Sequence, residues 1–566
     1  MIGAGMGGLA VAARLAATGH QVRIVEQSDH TGGKVATVRR DGFTFDTGPS
    51  LLTLPAVYRD LFLKTARSRK TAALEDNVEL IPLDPAFRYR FSDGTFLDLP
   101  GTGWGKIAAA LDDAMGARAG EQWIELLKRG QRMWELTRGP FLENELAGAA
   151  TLARLARSPS AVKTVAPWST LRALGKGYLS DPRLRTLLDR YATYTGSDPR
   201  RAPAVLATIP YVEQTFGSWH IAGGIGRLAQ ALTARCEQWN VTISLQHRVI
   251  SILTQGTGSA CRATGVLVDD LVTGEQHNLL ADIVVANADA EIVYRHLLSK
   301  DVTAAAPARA RLDAAQPSLA GFIVLAAVRN SSGSNSSGSN SSGSISPGSI
   351  SPGSSSPGSS APGSNSPGSG APVPTLHHNV WFPANYDVEF DAVFGSKPRP
   401  VHDPTIYACT PADPAMAPPG HTAWYLLVNA PRHVPAGSKE TGVDWDTPGL
   451  AEQYGDRVLA VLAERGTDLR PNLLWHQVQT PADLERSAGA PGGSIYGRSS
   501  NGAKAAFLRA ANTSPVKGLF CVGGSAHPGG GLPLVGLSAA IVSSAIGPAA
   551  GTSAPGKSVT ATSADR

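Results

Sequence analysis

Cysteine is scarce in this chain of 566 residues: there are four, Cys236, Cys261, Cys409 and Cys521. No two of them form a C-x-x-C pair, which is the spacing typical of redox sites and zinc sites. The sequence therefore indicates neither a disulfide framework nor a cysteine-bound metal. Isolated cysteines of this kind are typical of buried thiols in a reducing compartment.

Long apolar runs and a strong net charge are lacking too. No run of about 18 strongly apolar residues occurs; the nearest case, residues 531–551, has no charged side chain but is broken by Gly, Ser and Pro, and it predicts a packed helix. No secretory signal is visible. The formal net charge is +5 and the pI is about 9.0. Such a mild excess permits contact with anionic lipid but is too diffuse to indicate a nucleic-acid partner.

The chain opens on a glycine-rich motif. Gly3, Gly5 and Gly8 form G-x-G-x-x-G, followed by a helix of small residues and by a short strand that ends in Glu26. In a dinucleotide site, the first glycine makes the tight turn, the second lets the backbone approach a pyrophosphate, and the third lets helix and strand pack closely. An acid about 20 residues further on accepts hydrogen bonds from a ribose. The opening therefore predicts a dinucleotide site.

A second glycine pair extends this pattern. Gly32-Gly33 is followed by Lys34, and Gly48-Pro49 comes soon after. A glycine pair with a cation suits a cofactor whose phosphates run past the first loop. The stretch resembles the flavin-binding start of the amine-oxidase and phytoene-desaturase superfamily, which holds FAD. An NAD-type domain with an incidental turn at Gly32 is the alternative.

One element of the opening is missing. Only Met1 and Ile2 precede Gly3, although a Rossmann unit needs an apolar strand there. Without that strand, its neighbours would leave backbone groups unpaired in a buried sheet. We hypothesise that the true start lies upstream.

The rest of the chain alternates between two kinds of segment. Strand-period alternation over residues 78–99, with a hairpin turn at Asp93-Gly94, precedes helical spacing over residues 103–200. We predict FAD-binding segments at residues 1–75, 216–300 and 486–550. We predict substrate-domain segments at residues 76–215 (which also faces the membrane), 301–329 and 373–485.

Two further segments have unusual composition. Residues 330–372 contain Ser, Gly, Pro and Asn but no charged side chain, so we predict a disordered insert there and a disordered tail at residues 551–566. Two domains joined by a linker is the alternative, which is disfavoured because both flanks have the pattern of one sheet.

Residues 147–191 are rich in cations, with eight Lys or Arg against two acids. They form either solvated helix faces or a basic surface that rests on an anionic bilayer.

A second glycine-rich motif closes the chain. Gly523 and Gly524 end a strand, His527-Pro528 lies in the following loop, and a helix begins near Val535. With the opening motif, the Gly223-Gly224 turn and the segment His377-His378-Asn379, the chain resembles a bacterial carotenoid desaturase of the phytoene desaturase family, from Met1 to about Gly547. The stretch from Leu532 to Ser538 resembles the hydroxycarotenoid 3,4-desaturases more than the first-step enzymes.

This resemblance implies an α/β fold in which a Rossmann-like FAD-binding domain is interleaved with a substrate domain of mixed sheet and helices. It implies FAD as cofactor, a carotenoid substrate, quinone or oxygen as electron acceptor, and a cytoplasmic protein peripherally attached to a membrane surface. The matched cofactor-binding residues are Gly3, Gly5, Gly7, Gly8, Glu26, Gln27, Gly33, Lys34, Gly48, Pro49, Val249, Gly523, Gly524, Leu534 and Val535.

The implied reaction is oxidation of an allylic carbon–carbon bond, in which flavin takes a hydride and the adjacent carbon loses a proton. His527 is our candidate proton acceptor, and a structural loop histidine is the alternative. An adjacent pair such as His377-His378 can indicate a metal, but adjacent side chains on a strand point to opposite faces, so we predict no metal site.

The expected function is a late 3,4-desaturation of a carotenoid. The open alternatives are a first-step phytoene desaturase, a carotenoid ketolase or oxidase, an amine oxidase of the same superfamily, and a scaffold that binds carotenoid without turnover.

Overall fold

The structure is a computed structural model and describes residues 1–146, 157–330, 375–502 and 505–551. Most of the predicted insert and tail, and residues 147–156 of the basic segment, therefore lie outside the described residues. The strands in chain order are β1 Arg23–Val25, β2 Thr37–Arg40, β3 Phe43–Asp46, β4 Leu52–Thr53, β5 Leu80–Pro82, β6 Phe87–Arg90, β7 Phe96–Leu99, β8 Ser218–Ile221, β9 Thr242–Ser244, β10 His247–Gln255, β11 Arg262–Asp270, β12 Gln276–Leu280, β13 Val284–Ala286, β14 Ala320–Arg329, β15 His378–Trp381, β16 Ile406–Cys409, β17 His421–Ala430, β18 Leu473–Gln479 and β19 Leu519–Cys521.

The helices in chain order are α1 Met6–Ala17, α2 Ala56–Lys64, α3 Trp104–Met115, α4 Ala119–Leu142, α5 Pro159–Val165, α6 Leu171–Tyr178, α7 Pro182–Thr193, α8 Thr208–Phe216, α9 Gly226–Gln238, α10 Ala290–Ile292, α11 Ala306–Ala314, α12 Asp387–Phe394, α13 Leu450–Glu464, α14 Pro481–Ala488, α15 Ala505–Leu508 and α16 Leu532–Ile546. The predicted hairpin is formed by β6 and β7. The predicted helix over residues 531–551 is α16, which packs against α1. Among the described residues, no helix is both long enough and apolar enough to cross a membrane.

A parallel sheet carries the opening motif. β1 pairs with β9, and β13 pairs with β19. Ile2 bridges Val25 of β1 and Ala286 of β13, so residues 1–3 occupy the central position between the two pairs. Helices α1, α9 and α16 pack on this sheet through apolar side chains. The antiparallel sheet β10-β11-β12 lies beside it.

A second, seven-stranded sheet has the order β18-β14-β17-β16-β15-β6-β7. It is mixed, because β15 and β6 run parallel while the other neighbours run antiparallel. β14 and β15 flank the predicted insert, and both lie in this one sheet. The predicted mixed sheet is therefore confirmed.

The two faces of the seven-stranded sheet pack against different partners. One face buries Phe322, Trp424 and Leu426 against α13. The other face presents Phe87 of β6, His378 of β15, Cys409 of β16 and Tyr425 of β17 in one row of the register. This face lies toward β3 and toward the helical layer formed by α3, α4, α6, α7 and α8. The β3 strand and the helices of residues 103–216 therefore pack side by side on this one face.

Candidate functional site

The first glycine loop leaves no room for side chains. Gly3 has a φ of +89°, a conformation that favours glycine. A Cβ atom on Gly8 would lie 2.2 Å from the carbonyl oxygen of Gly3, which shows how tightly α1 packs on the loop. The amide groups at the start of α1 are thus open to an anion, because the helix dipole and the free N–H groups both point there.

Asn287 lies inside this loop and was not among the predicted site residues. It directly follows β13, and its Nδ2 lies 2.6 Å from where a Cβ on Gly5 would stand. Its Oδ1 lies 2.5 Å from the Cβ position of Gly7 and 2.7 Å from that of Gly523. The signal that could have found Asn287 is its place at the carboxyl end of a parallel strand, where ligands of such sheets bind.

Glu26 holds the first loop from the end of β1. Its side chain is buried, and Oε2 accepts a hydrogen bond of 2.7 Å from the backbone N–H of Ala4. Oε1 accepts one of 2.9 Å from the N–H of Ser28. Gln27 is exposed beside it. Val249 is buried in β10, two residues after His247, whose N–H donates to the carbonyl of Glu26.

The second glycine pair packs on the first loop. The N–H of Gly32 donates to the carbonyl of Ala4 over 2.9 Å, and a Cβ on Gly33 would lie 3.1 Å from Cα of Gly5. A Cβ on Gly48 would lie 1.9 Å from the carbonyl oxygen of Lys34, so the Gly48-Pro49 turn belongs to the same cluster.

Lys34 is the cation of this cluster. Its Nζ donates to the carbonyls of Ser494 (3.2 Å) and Ile495 (2.9 Å). Burial lowers the pKa of Lys34, while the nearby carboxylate of Asp289 opposes that change.

The closing motif meets the opening one. Cα of Gly523 lies 3.1 Å from the Cβ position of Gly7, and the N–H of Gly523 donates to Oγ of Ser538 in α16. Gly524 follows, and Leu534 and Val535 lie in the first turn of α16. The fold therefore brings the first loop, the second glycine pair and the closing glycines into one cradle.

His527 lies in the closing loop but is held away from solvent. It is 3 % exposed, and its Nε2 lies 3.1 Å from the carbonyl oxygen of Asn144. Burial lowers the pKa of His527 to about 4, so the ring is neutral near pH 7.

The two adjacent histidines do not point to opposite faces, so that expectation was wrong. The ring centroids of His377 and His378 are 4.6 Å apart, because His377 precedes β15 and is not bound by the alternation of the strand. Ligand atoms of His377, His378 and Cys409 lie within 4.8 Å of one another. Burial lowers the pKa of His378, and the neighbouring His377, His220 and the buried guanidinium of Arg190 lower it further. The positive charge of Arg190 would also oppose a bound dication. The absence of a metal site stays a prediction.

The cradle fits the pyrophosphate of a dinucleotide. Neighbouring atoms, among them the side chain of Asn287, close the Cβ positions on Gly5, Gly7, Gly8 and Gly523, so these four residues leave the space at the start of α1 free. Glu26 and Lys34 flank that space with an acceptor for a hydroxyl and with a cation. Such a donor set binds an anionic cofactor, which then supplies the chemistry.

Known proteins that are similar to this chain include flavin enzymes, which agrees with a cradle for a dinucleotide. Residues 6–387 match the family model described as flavin containing amine oxidoreductase. A 4,4'-diapolycopene oxygenase of Methylomonas sp. is 29% identical over 96% of this chain and 96% of that protein. A 1-hydroxycarotenoid 3,4-desaturase of Flavobacterium sp. (strain P99-3) is 29% identical over 96% of this chain and 98% of that protein.

Solved structures share the fold. An oxidoreductase from Methanosarcina mazei is 18% identical with a TM-score of 0.56, over 95% of this chain and 97% of that one. Putrescine oxidase bound to putrescine is 13% identical with a TM-score of 0.56, over 95% and 96% of the two chains. The predicted fold class and the predicted FAD cofactor are confirmed: the chain is an FAD-dependent oxidoreductase and belongs to the flavin containing amine oxidoreductase family.

Proposed function

We propose that this enzyme oxidises a carotenoid, and that its reaction is a late 3,4-desaturation. The observation that carries the proposal is the length of the match to two carotenoid-modifying enzymes, each of which covers 96% of the chain. One of them is a 1-hydroxycarotenoid 3,4-desaturase, and the Leu532 to Ser538 stretch favours the same reaction.

In this proposal the cradle holds FAD, which would accept a hydride from the substrate when bound. The loops of Gly3, Gly5, Gly7 and Gly8 receive the pyrophosphate at the start of α1, and Lys34 adds positive charge. Glu26 keeps acceptor capacity for a ribose hydroxyl beyond its two backbone bonds. The other proposed contacts are Gln27, Gly33, Gly48, Pro49, Val249, Gly523, Gly524, Leu534 and Val535.

We further propose His527 as the proton acceptor, because it is neutral near pH 7 and lies four residues after Gly523. Replacing His527 by Gln keeps a hydrogen bond to the carbonyl of Asn144 but removes the basic nitrogen. Turnover should fall about a hundredfold with FAD still bound. Full turnover of His527→Gln with bound FAD would leave His527 with a structural role in the loop.

Oxygenation of a carotenoid end group is the second candidate. The 4,4'-diapolycopene oxygenase of Methylomonas sp. and the 4,4'-diaponeurosporene oxygenase of Staphylococcus aureus favour it, the latter being 28% identical over 95% of this chain. In both versions of the proposal the electron acceptor is quinone or oxygen. Both also include a cytoplasmic location with peripheral attachment to a membrane.

The test is chromatography of products after the FAD-loaded protein, in liposomes, has been incubated separately with phytoene, lycopene and a 1-hydroxylated carotenoid. Gain of one double bond by the hydroxylated substrate alone supports the late desaturation. Conversion of phytoene supports a first-step desaturase, and a product with added oxygen supports the oxygenase. If no polyene changes while FAD stays bound, amines are the next substrates to test.

A further inference from the structure

A buried polar cluster lies within the apolar side chains that cover one face of the seven-stranded sheet. We call Arg190, Tyr194, His378 and Tyr407 the Arg190 cluster. Arg190 and Tyr194 come from α7 and the residue that follows it, His378 from β15 and Tyr407 from β16. None of the four is a predicted cofactor residue. Polar groups in such surroundings are costly unless they are paired, so their presence needs an explanation.

One ring nitrogen of His378 has no hydrogen-bond partner among the residues that the structure describes. Its side chain is fully buried, and its Nδ1 hydrogen-bonds the hydroxyl of Tyr407 over 2.9 Å. Its Nε2 is buried and has no hydrogen-bond partner among the described residues. Phe87 and Tyr407 stack on the ring, with centroids 5.1 Å and 5.7 Å away. The packing therefore holds the ring rigidly, with one polar edge unsatisfied.

Arg190 is a buried cation that forms no salt bridge in the described part of the chain. It is 6 % exposed, and the buried carboxylate of Glu213 acts on it only electrostatically. Its Nη1 donates to the hydroxyl of Tyr194 over 2.6 Å. The guanidinium carbon stands 5.3 Å from the ring centroid of Phe87 and 5.7 Å from that of Tyr407, which are the two rings that also stack on His378. Arginine stays charged in proteins and has five N–H donors, so this group can serve an oxygen acceptor.

The cluster is connected to the proposed cofactor site. The hydroxyl of Tyr407 also hydrogen-bonds Oγ of Ser50, which directly follows Gly48-Pro49. Ser50 lines a small internal cavity together with Asp46, Cys409 and Tyr425. The polar atoms therefore lie where the sheet face meets the predicted flavin loop.

We propose that the Arg190 cluster binds an oxygen atom, in a hydroxyl or a carbonyl group, at the end of the polyene substrate. This inference rests on the proposed function and names its substrate class. A pure hydrocarbon would leave Nε2 of His378 unpaired and would offer the Arg190 guanidinium no acceptor, whereas an oxygen accepts from the guanidinium, and a hydroxyl can also bond the ring nitrogen. The site thus discriminates against hydrocarbon polyenes.

The experiment compares lycopene with its 1-hydroxylated derivative, which differ by the oxygen-bearing group at one end. Affinities are measured from the polyene absorption of the FAD-loaded full-length protein in liposomes, and turnover is measured in parallel. The variants are His378→Phe, which keeps the stacked ring, and Arg190→Met, which keeps an apolar stem. Tyr454→Phe is the control: it removes a buried hydroxyl that donates to the carbonyl of Val401 on the other face of the sheet.

Wild type should bind the hydroxylated polyene about tenfold more tightly than lycopene, which corresponds to about 1.4 kcal/mol. His378→Phe and Arg190→Met should each remove this preference by weakening the hydroxylated polyene alone, and Tyr454→Phe should keep it. Equal affinities in wild type, or equal weakening of both polyenes in the variants, would overturn the inference.

The same measurements separate the inference from the proposed function. Preferential binding of the hydroxylated polyene without conversion would sustain the oxygen site and refute the desaturation. Conversion without preference would sustain the desaturation and refute the oxygen site. If neither polyene binds, both fail.

Discussion

At the scale of single residues, two glycines of the opening motif have separable roles. The neighbour of a Cβ on Gly8 is backbone, the carbonyl oxygen of Gly3 at 2.2 Å, which cannot move without disturbing α1. The neighbour of a Cβ on Gly5 is the end of a side chain, Nδ2 of Asn287 at 2.6 Å, which can rotate. Gly5 also has a φ of −71°, which any residue adopts. Gly8 is therefore required for the fold, whereas Gly5 is required to keep the space for the cofactor open.

We expect Gly8→Ala to destabilise the protein by about 3 kcal/mol or more, because backbone must shift. Gly5→Ala should change stability by about 1 kcal/mol or less but weaken FAD at least about tenfold, since the methyl group displaces the Asn287 amide, which must then turn toward the space proposed for the pyrophosphate. Thermal unfolding of the FAD-free protein and titration of FAD fluorescence measure the two effects.

Gly105→Ala is the matched control for this pair. Gly105 lies in α3 with no atom within 4 Å of its Cβ position. There the change should stabilise slightly, by about 0.5–1 kcal/mol, with FAD affinity unchanged. If Gly5→Ala bound FAD as wild type does, the proposed position of the pyrophosphate would be wrong.

At the scale of elements, β3 and α9 are joined by one buried carboxylate. Asp46 at the end of β3 accepts hydrogen bonds from the N–H groups of Ile225 (2.9 Å) and Gly226 (3.4 Å) at the start of α9. Burial raises the pKa of Asp46 to about 6, the two backbone bonds oppose the rise, and Asp413 adds to it. In the folded protein the Asp46 carboxyl group is therefore more stable in its protonated form than it is in the unfolded chain.

This raised pKa fixes the sign of a pH effect. The folded protein keeps the proton of Asp46 to higher pH than the unfolded chain does. The contribution of Asp46 to the free energy of unfolding is therefore full below about pH 4 and is lost as pH rises to about 6. The loss is on the order of 3 kcal/mol. Asp46→Asn cannot ionise, so its stability relative to wild type should increase by up to that amount between pH 4 and pH 7.5.

Urea unfolding of wild type and Asp46→Asn at matched pH values measures the difference, and the other titrating groups cancel in it. Asp60→Asn is a suitable control, because Asp60 is half-exposed: burial, the largest single influence, raises its pKa, but the bonds and charges of Arg14 and Lys64 together lower it below its usual value. Its difference from wild type should change in the opposite direction. A stability difference for Asp46→Asn that is constant with pH would contradict the prediction.

Motifs that lie within one element can be predicted from the sequence, whereas contacts between distant elements cannot. The opening loop, Glu26 and the closing glycines follow local rules of turn, strand and helix, and the pattern was enough to place them. Asn287 needed the knowledge that β13 ends beside α1. Ser50, Tyr407 and His378 meet only because the two halves pack together, and Ser50 and Tyr407 are 357 residues apart in the chain. Such contacts leave no periodic or spaced signal in a single sequence.

At the scale of the whole molecule, the described part of the basic segment presents an aromatic side chain to solvent. Trp168 is 70% exposed, and Arg157, Lys163 and Lys176 are exposed on the neighbouring elements. An exposed indole among cations is typical of a surface that contacts anionic lipid. This supports the membrane-facing alternative over solvated helix faces.

We expect Trp168→Ser to weaken binding to vesicles that contain phosphatidylglycerol by about tenfold, because the indole would no longer be buried at the interface. Sedimentation with vesicles measures it. Val272→Ser is the control, since Val272 is also 70% exposed but lies between β11 and β12. Equal effects of the two changes would show that this surface does not contact the bilayer.

The segment between β14 and β15 offers a last test of how the molecule is connected. β17 and β16 lie between these strands in the sheet, and Arg329 pairs with His421 while His378 is level with Tyr425. The ends are therefore about 14 Å apart across the sheet and about 13 Å along it, which about 12 residues can span.

Removing residues 335–370 leaves a connection of about 12 residues between Arg329 and His378, which is long enough to span this distance. Loop closure then becomes easier by about 1 kcal/mol, since each halving of a loop contributes about 0.6 kcal/mol. The shortened protein should accordingly unfold at slightly higher urea and bind FAD as the full chain does. Loss of folding or of FAD binding would instead mean that residues 335–370 contribute contacts to the enzyme.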